Sequence, residues 1–229
     1  MRIECGLDSP YNAVILNRPL PSNFIDLARN ATTFICADGG ADRITRFNII
    51  PTAICGDLDS ISIEARDYFS TKQVPIIHKP SQDSTDFLKC LHLPHLHNKL
   101  PIYAFGGLGG RFDHCMQHLN ILYTNPLENR QIILINESSI AFLVPAGSHQ
   151  IVTDTKVFGP YLGFFPLAST AIVTTKGLVW DVESTVIGFG GLISTSNRIK
   201  EPFTEDGIHI TEITTNVPLI WTISSSLYE

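Results

Sequence analysis

Up to residue 136 the chain alternates uninterrupted apolar runs of strand length with longer stretches of helical period. The runs are AVILN (13–17), TFICA (33–37), TAIC (52–55), VPIIH (74–78), PIYAF (101–105) and QIILIN (131–136). They do not alternate apolar with polar positions, so both faces of each strand need cover, which suits a mainly parallel sheet flanked by helices. From Glu137 the helical stretches stop. Short segments rich in Thr, Val, Ile, Gly and Ser replace them, among them SIAFLV (139–144), HQIVT (149–153), AIVTTKGLVWDV (171–182), GGLISTS (190–196), GIHITEIT (207–214) and LIWTIS (219–224). Many short strands punctuated by Gly, Pro and Asn predict a β-sandwich or barrel. The expected organisation is an α/β domain over 1–136 and an all-β domain over 137–229.

The chemistry sits where the apolar runs of the first domain end. FICA leads into Asp38-Gly39-Gly40, TAIC into Gly56-Asp57-Leu58-Asp59-Ser60, PIIHKPS into Gln82-Asp83-Ser84-Thr85-Asp86, and PIYAF into GGLGGRFDH (106–114). In an open parallel sheet the carboxyl ends of the strands share one edge, where ligands bind. One site can therefore collect all four turns. Gly106, Gly107, Gly109 and Gly110 would let backbone N–H groups approach a phosphate. The segment has neither GK[ST] nor G-x-G-x-x-G spacing, so it is no Walker A loop or dinucleotide fingerprint, and a plain strand-to-helix turn is the competing reading. Arg111 at its end can fork onto phosphate oxygens, and Asp113 can hold a metal.

Asp57 and Asp59 admit two readings. They can cap a turn or the helix that starts near Ile61. Alternatively, two carboxylates in one tight turn repel unless a cation neutralises them, and Mg2+ is commonly held by one or two carboxylates plus substrate phosphates. The segment QDSTDFLKCLHL (82–93) predicts a helix capped by Ser84 or Thr85. Phe87, Cys90 and Leu91 share its apolar face, with Asp86 and Lys89 together on the other. In isolation that pair reads as a surface ion pair; beside Asp57 and Asp59, Lys89 can take a phosphate and Asp86 a metal or a substrate hydroxyl.

Composition narrows the partners. The 229 residues are 44% hydrophobic with a net charge of -6, enough for a well-filled core and without the basic footprint of a protein that wraps nucleic acid. Aspartates facing a polyanionic ligand need a divalent cation between them and it. Cys5, Cys36, Cys55, Cys90 and Cys115 are odd in number, lack C-x-x-C spacing and sit mostly inside apolar runs, so they read as reduced core residues. With no basic and apolar leader and no run of about 18 apolar residues, the expected place is the cytosol, with no membrane partner. His92, His95 and His97 around Pro94 have no Cys or acid at ligand spacing and read as a helix end. On the helix after the glycine-rich loop, His114 and His118 are expected on a polar flank, with Met116, Leu119 and Leu122 inward.

In order along the chain, ADGGADR (37–43), GDLDSI (56–61), QDSTDFLKCL (82–91), GGLGGRFDH (106–114) and GFGGLISTSN (188–197) strongly resemble the motifs of eukaryotic-type thiamine pyrophosphokinases. AVILNRPL (13–20), TTKGLVWDV (174–182) and PLIWTIS (218–224) are also similar to that family, so the resemblance covers essentially the whole chain. It implies an N-terminal α/β domain that binds ATP and Mg2+, a C-terminal all-β sandwich that binds thiamine and dimerises, and a homodimer with active sites between subunits. The implied reaction is ATP plus thiamine giving AMP plus thiamine diphosphate. Carried over by motif, Asp57 and Asp59 are Mg2+ ligands, and Asp86 and Asp113 complete the metal and hydroxyl site. Lys89 and Arg111 neutralise the phosphates, and Asp38 shapes the nucleotide side. Gly109, Gly110 and Leu192 are implied substrate-binding positions, and Gln82, Ser194 and Asn197 are implied to bind the thiamine pyrimidine. Trp180 is the candidate aromatic face for the cationic rings, its other reading being a core tryptophan of the sandwich. Asp86 or Asp57 can take the hydroxyl proton.

Departures from the family pattern are at Leu58 and Asp42, neither of which removes a functional group, and over 198–207, which bears on one wall of the thiamine pocket. Two other classes share parts of this signature. A Mg2+-dependent nucleotide phosphohydrolase or another small-alcohol kinase uses the same carboxylates. A non-catalytic thiamine or nucleotide binding protein keeps the fold without needing every acid and base.

Overall fold

The computed structural model describes the chain except residues 126, 128, 129, 202, 203, 205 and 226–229. The described residues fall into two units, Leu7–Asn136 and a second made of Met1–Gly6 with the chain from Glu137 onward. The first six residues, expected with the α/β half, thus lie in the other unit. Their strand β1 (Arg2–Cys5) buries Ile3 and Cys5 and pairs in parallel with residues 150–153. A four-residue strand with charges at its exposed positions carries little local signal, and only tertiary pairing reveals it.

In Leu7–Asn136 the strands are β2 (Tyr11–Ile15), β3 (Ala31–Ala37), β4 (Ala53–Gly56), β5 (Ile76–His78), β6 (Ile102–Phe105) and β7 (Ile132–Ile135). They lie in the order β7-β6-β2-β3-β4-β5, and every neighbouring pair is parallel. All residues of β2, β4, β6 and β7 are buried, which is why these runs carry no polar alternation. From β2 the chain builds outward to β5, then returns to the opposite side of β2 for β6. The strand order therefore reverses between β2 and β6, the place where open α/β sheets bind ligands.

The helices are α1 (Phe24–Ala28), α2 (Gly40–Ile44), α3 (Ile63–Thr71), α4 (Asp86–Leu91) and α5 (Phe112–Thr124). Ser62 caps α3 by accepting from Ala65 N at 3.1 Å, and Thr85 caps α4 by accepting from Leu88 N at 3.4 Å. Helix α5 is turned relative to the expectation. Met116 is exposed, whereas His118 faces inward, its Nδ1 2.7 Å from Gly107 O and its ring edge-on to Phe87. The Gly107 carbonyl needs a partner there, which an imidazole supplies and a thioether does not. Four cysteines are buried and Cys115 is partly so, all of them free thiols. No described helix is long and apolar enough to cross a membrane.

The second unit contains β8 (Ser139–Val144), β9 (Gly147–Asp154), β10 (Phe158–Phe165), β11 (Ala171–Lys176), β12 (Thr185–Ile187), β13 (Ser194–Arg198), β14 (Ile208–Thr215) and β15 (Leu219–Ser225). One sheet runs β1-β9-β14-β11-β12 and the other β13-β10-β15-β8, antiparallel except for β1 against β9. Burial alternates along β14, the period of a strand with one face on a core, and the two sheets make a sandwich. Strand β10 escapes recognition in the sequence because Gly159 and Pro160 interrupt it. Its ladder to β15 slips between Phe158 and Leu162, an irregularity of the kind that lets a strand hold a proline. AIVTTKGLVWDV is not one strand either. Chain β11 stops at Lys176, because Asp181 accepts bonds from Thr175 Oγ1, Gly177 N and Leu178 N and so folds the segment into a turn.

The two tryptophans separate clearly. Trp221 on β15 is fully buried and stacks on Phe164 with centroids 5.8 Å apart, whereas Trp180 is 58% exposed. Trp180 is therefore not the core tryptophan of the sandwich. In urea unfolding followed by far-UV circular dichroism, Trp221→Ala should lose about 3–5 kcal/mol and Trp180→Ala less than about 0.5 kcal/mol. Equal losses would refute this division.

Candidate functional site

Strand β3 leads directly into Asp38, which takes a left-handed φ of 44° and is 2% exposed. Its carboxylate accepts from Ser60 N at 3.1 Å and Ile61 N at 2.9 Å. Asp42 on α2 continues the pattern, accepting from Ser62 N at 3.1 Å and from Ser62 Oγ. The ADGGAD segment thus clamps three successive residues of the loop after β4, and that loop carries Asp57. Gly56 permits the convergence. A Cβ there would lie 2.8 Å from Asp38 Cβ and 3.1 Å from Asp86 Oδ1, so any side chain would push the acids apart.

Carboxylate oxygens of Asp38, Asp57 and Asp86 lie within 4.8 Å of one another. Lys89 Nζ stands 2.9 Å from Asp86 Oδ1 and 3.7 Å from Asp57 Oδ2. Lys89 is only 4% exposed while Asp86 is 30% exposed, so this is a part-buried ion pair and not a surface one. Gln82 Nε2 donates to Asp57 Oδ2 at 2.9 Å, while Asp57 Oδ1 is buried without a hydrogen-bond partner. An anionic oxygen left so, next to two further carboxylates, fits a hard cation such as Mg2+.

The charges respond accordingly. The bond from Gln82, helped by the Lys89 charge, holds Asp57 below the ordinary carboxylate range. Burial pulls Lys89 down, but the hydrogen bond and charge of Asp86, with Asp57 behind them, raise it overall. Burial pushes Asp38 up to about 6 against the pull of the Ser60 and Ile61 amides.

Asp59 is not one of the three converging carboxylates. It is exposed, accepts from Ser60 Oγ at 2.8 Å, and its side chain lies beside that of Asp38; Leu58, between it and Asp57, sits at φ 65°, and the chain turns there. Arg111 and Asp113 bond each other, Nε to Oδ1 at 3.1 Å and Nη2 to Oδ2 at 2.5 Å, with Arg111 69% exposed. The bond from Arg111 holds Asp113 at about 2. Of the four acids expected around a metal, Asp57 and Asp86 converge together with Asp38, Asp59 lies against Asp38, and Asp113 is paired with Arg111. The signal that could have promoted Asp38 is its place at the end of a strand beside β4.

In the second unit, Asn197 is buried on β13. Its Oδ1 accepts from Trp180 N at 3.3 Å and Arg198 N at 2.8 Å, and its Nδ2 donates to Trp180 O at 2.9 Å. Asn197 therefore fixes the backbone under the exposed Trp180 indole. Phe189 and Leu192 are exposed nearby in sequence, and Ser194 is half-buried at the start of β13. Gln82, the third residue implied for the thiamine pyrimidine, belongs to the unit that carries Asp57, to which it donates. Residues 202, 203 and 205 of the divergent 198–207 stretch lie outside the described residues.

Asp38 gives a pH signature. A carboxyl raised from 3.8 to about 6 binds its proton more tightly in the folded chain, so its contribution to stability is largest below about 4 and falls as pH rises to about 6. Relative to wild type, Asp38→Asn should therefore gain stability progressively between pH 4 and 6.5, measured by urea unfolding in chelator. A difference that stays flat over that range would remove Asp38 as the titrating group.

Comparison with known proteins agrees across both units. Residues 24–135 match the family model "Thiamin pyrophosphokinase, catalytic domain", and residues 148–219 match "Thiamin pyrophosphokinase, vitamin B1 binding domain". The chain is 37% identical to thiamine pyrophosphokinase 3 of Oryza sativa subsp. japonica, over 93% of this chain and 86% of that protein. It is 36% identical to thiamine pyrophosphokinase 2 of Arabidopsis thaliana, over 96% and 87%. The solved thiamin pyrophosphokinase from Candida albicans superposes with a TM-score of 0.87 at 24% identity, covering 98% of this chain and 92% of that one, an agreement of fold. With both domain models matched in order and plant relatives aligned along most of its length, the chain belongs to the thiamine pyrophosphokinase family.

Proposed function

We propose that this chain is a thiamine diphosphokinase that moves a diphosphoryl group from ATP to the hydroxyl of thiamine, giving AMP and thiamine diphosphate. It works with Mg2+ in the cytosol, as a homodimer with active sites between subunits. The observation that carries the reading is the meeting of Asp38, Asp57 and Asp86 with buried Lys89 at the carboxyl edge of a parallel sheet. In this reading Leu7–Asn136 binds ATP and Mg2+ and carries the chemistry, while the sandwich binds thiamine and dimerises.

Diphosphoryl transfer is mostly positioning and charge neutralisation. The thiamine hydroxyl oxygen bonds to the β-phosphorus as the bond from that phosphorus to the α,β-bridging oxygen breaks. AMP leaves with that oxygen and its electron pair, and the hydroxyl proton passes to the carboxylate of Asp57 or Asp86. Bound Mg2+ supplies charge neutralisation at the phosphoryl oxygens, and Asp38, Asp57 and Asp86 are the residues that would hold it. Gln82 keeps Asp57 ionised and oriented, and Lys89 brings a buried cation that its carboxylate partners keep charged. Arg111 is steadied by Asp113 through two of its five N–H groups, which leaves the others for phosphate. Asp59 acts on the turn through Ser60, and Gly109 and Gly110 offer loop amides.

For thiamine, the exposed Trp180 indole suits a flat cationic ring, with Leu192 as an apolar neighbour and Ser194 as a polar partner. Asn197 serves by holding Trp180 in place.

With ATP, Mg2+ and thiamine, AMP should appear only when thiamine is present. ADP formation would point to another small-alcohol kinase, and thiamine-independent hydrolysis to a phosphohydrolase. Asp57→Asn should lower kcat about 100-fold or more with an unchanged circular dichroism spectrum; near-normal turnover at ordinary Mg2+ would take Asp57 out of the site. Ser194→Ala should raise KM for thiamine more than KM for ATP, and the opposite order would move that motif to the nucleotide side.

A further inference from the structure

We infer that Arg18 is a substrate-binding residue whose guanidinium grips the polyphosphate of ATP across the glycine-rich loop. This rests on the reading above that ATP phosphates lie at that loop. Arg18 follows β2, and the loop Gly106–Gly110 follows β6, its parallel neighbour. These are the two strands between which the sheet order reverses, so both segments border the crevice where ligands bind. Two backbone bonds fix their relation: Leu16 N donates to Phe105 O at 2.9 Å, and Arg18 N to Leu16 O at 2.7 Å.

The contact is tight. A Cβ on Gly106 would lie 2.7 Å from Arg18 Cβ, and one on Gly110 only 1.3 Å from Arg18 Nη2 and 1.7 Å from Cζ. The guanidinium therefore lies directly against the Gly110 backbone. Gly106, Gly109 and Gly110 have φ of 80°, 77° and 71°, so the loop needs glycine for its turn and again for the approach of this side chain.

What the guanidinium lacks is an acceptor. Several cations of the unit are engaged: Lys89 with Asp86 and Asp57, Arg111 with Asp113, Arg43 with Asn17 Oδ1, and Arg46 with Leu20 O. Among the described residues the Arg18 side chain has no hydrogen bond or ion pair. A half-buried, permanently charged group with five donors and no partner, set on a turn of glycine amides, matches a phosphate chain in charge and in geometry. The competing role is packing, with the side chain merely covering the loop.

Three variants of the full chain separate the two: Arg18→Ala, Arg18→Lys, and Arg18→Met, which fills similar space without charge. KM for ATP and thiamine, the Kd of a non-hydrolysable ATP analogue and the melting temperature are measured for each. Arg18→Ala and Arg18→Met should raise the analogue Kd and the ATP KM about 10-fold or more, with thiamine KM within about twofold and melting unchanged; Arg18→Lys should recover part of the loss. The inference is overturned if the analogue Kd stays within about twofold in Arg18→Ala, if Arg18→Met restores it, or if both substrates weaken together as melting falls. Failure of the wild type to make AMP from ATP and thiamine would sink the functional reading instead. A loss of analogue affinity in Arg18→Ala would still mark Arg18 as the polyphosphate contact.

Discussion

The site depends on a carboxylate that binds protein before it can bind anything else. Asp38 is buried at the end of β3 and receives the amides of Ser60 and Ile61. Asp42, one helical turn on, receives Ser62, which in turn caps α3 through Ala65 N. Two acids from one motif thereby tie the loop after β4 to the end of the neighbouring strand, and the direction of Asp57 follows from that tie. A buried anion is unfavourable by itself; here two charge-assisted bonds offset the burial without cancelling it, and the carboxyl remains elevated at about 6.

The same economy of contacts leaves the cluster short of positive charge. Three carboxylates crowd within 4.8 Å while one ammonium, Lys89, serves two of them, and an oxygen of Asp57 has no donor. Such an arrangement repels itself until a cation enters, which gives a physical reason for a divalent ion beyond any resemblance. On the β6 side of the sheet the sign reverses. Arg111 is neutralised by its own acid, whereas Arg18 rests unpaired on glycine backbone. An edge with acids after β3 and β4 and a free guanidinium after β2 suits a metal-bound polyphosphate laid along it.

In the sandwich, polar chemistry serves orientation. Asn197 spends its amide on the backbone of Trp180 and Arg198, so the exposed indole has a fixed base. Asp181 does the same for the turn after β11. Rigid support beneath an exposed aromatic is what recognition of a flat ring requires, because less side-chain freedom is then lost on binding.

By itself, the sequence determined the architecture and the kind of chemistry. Unbroken apolar runs encode strands buried on both faces, and their shared polar ends encode one ligand edge, because both properties are local and periodic. The order of the motifs carried the family. Only the tertiary structure decided which groups meet. That Asp38 joins Asp57 and Asp86, and that Arg18 lies on Gly110, depend on hydrogen bonds and close approaches between segments that follow different strands. Local pattern also fails for β1, whose partner is distant in sequence, and for β10, whose Gly-Pro step reads as a break until a slipped ladder accommodates it. Periodicity reports which side of an element is buried, but a site is set by distances between elements, and those are fixed only when the chain has folded.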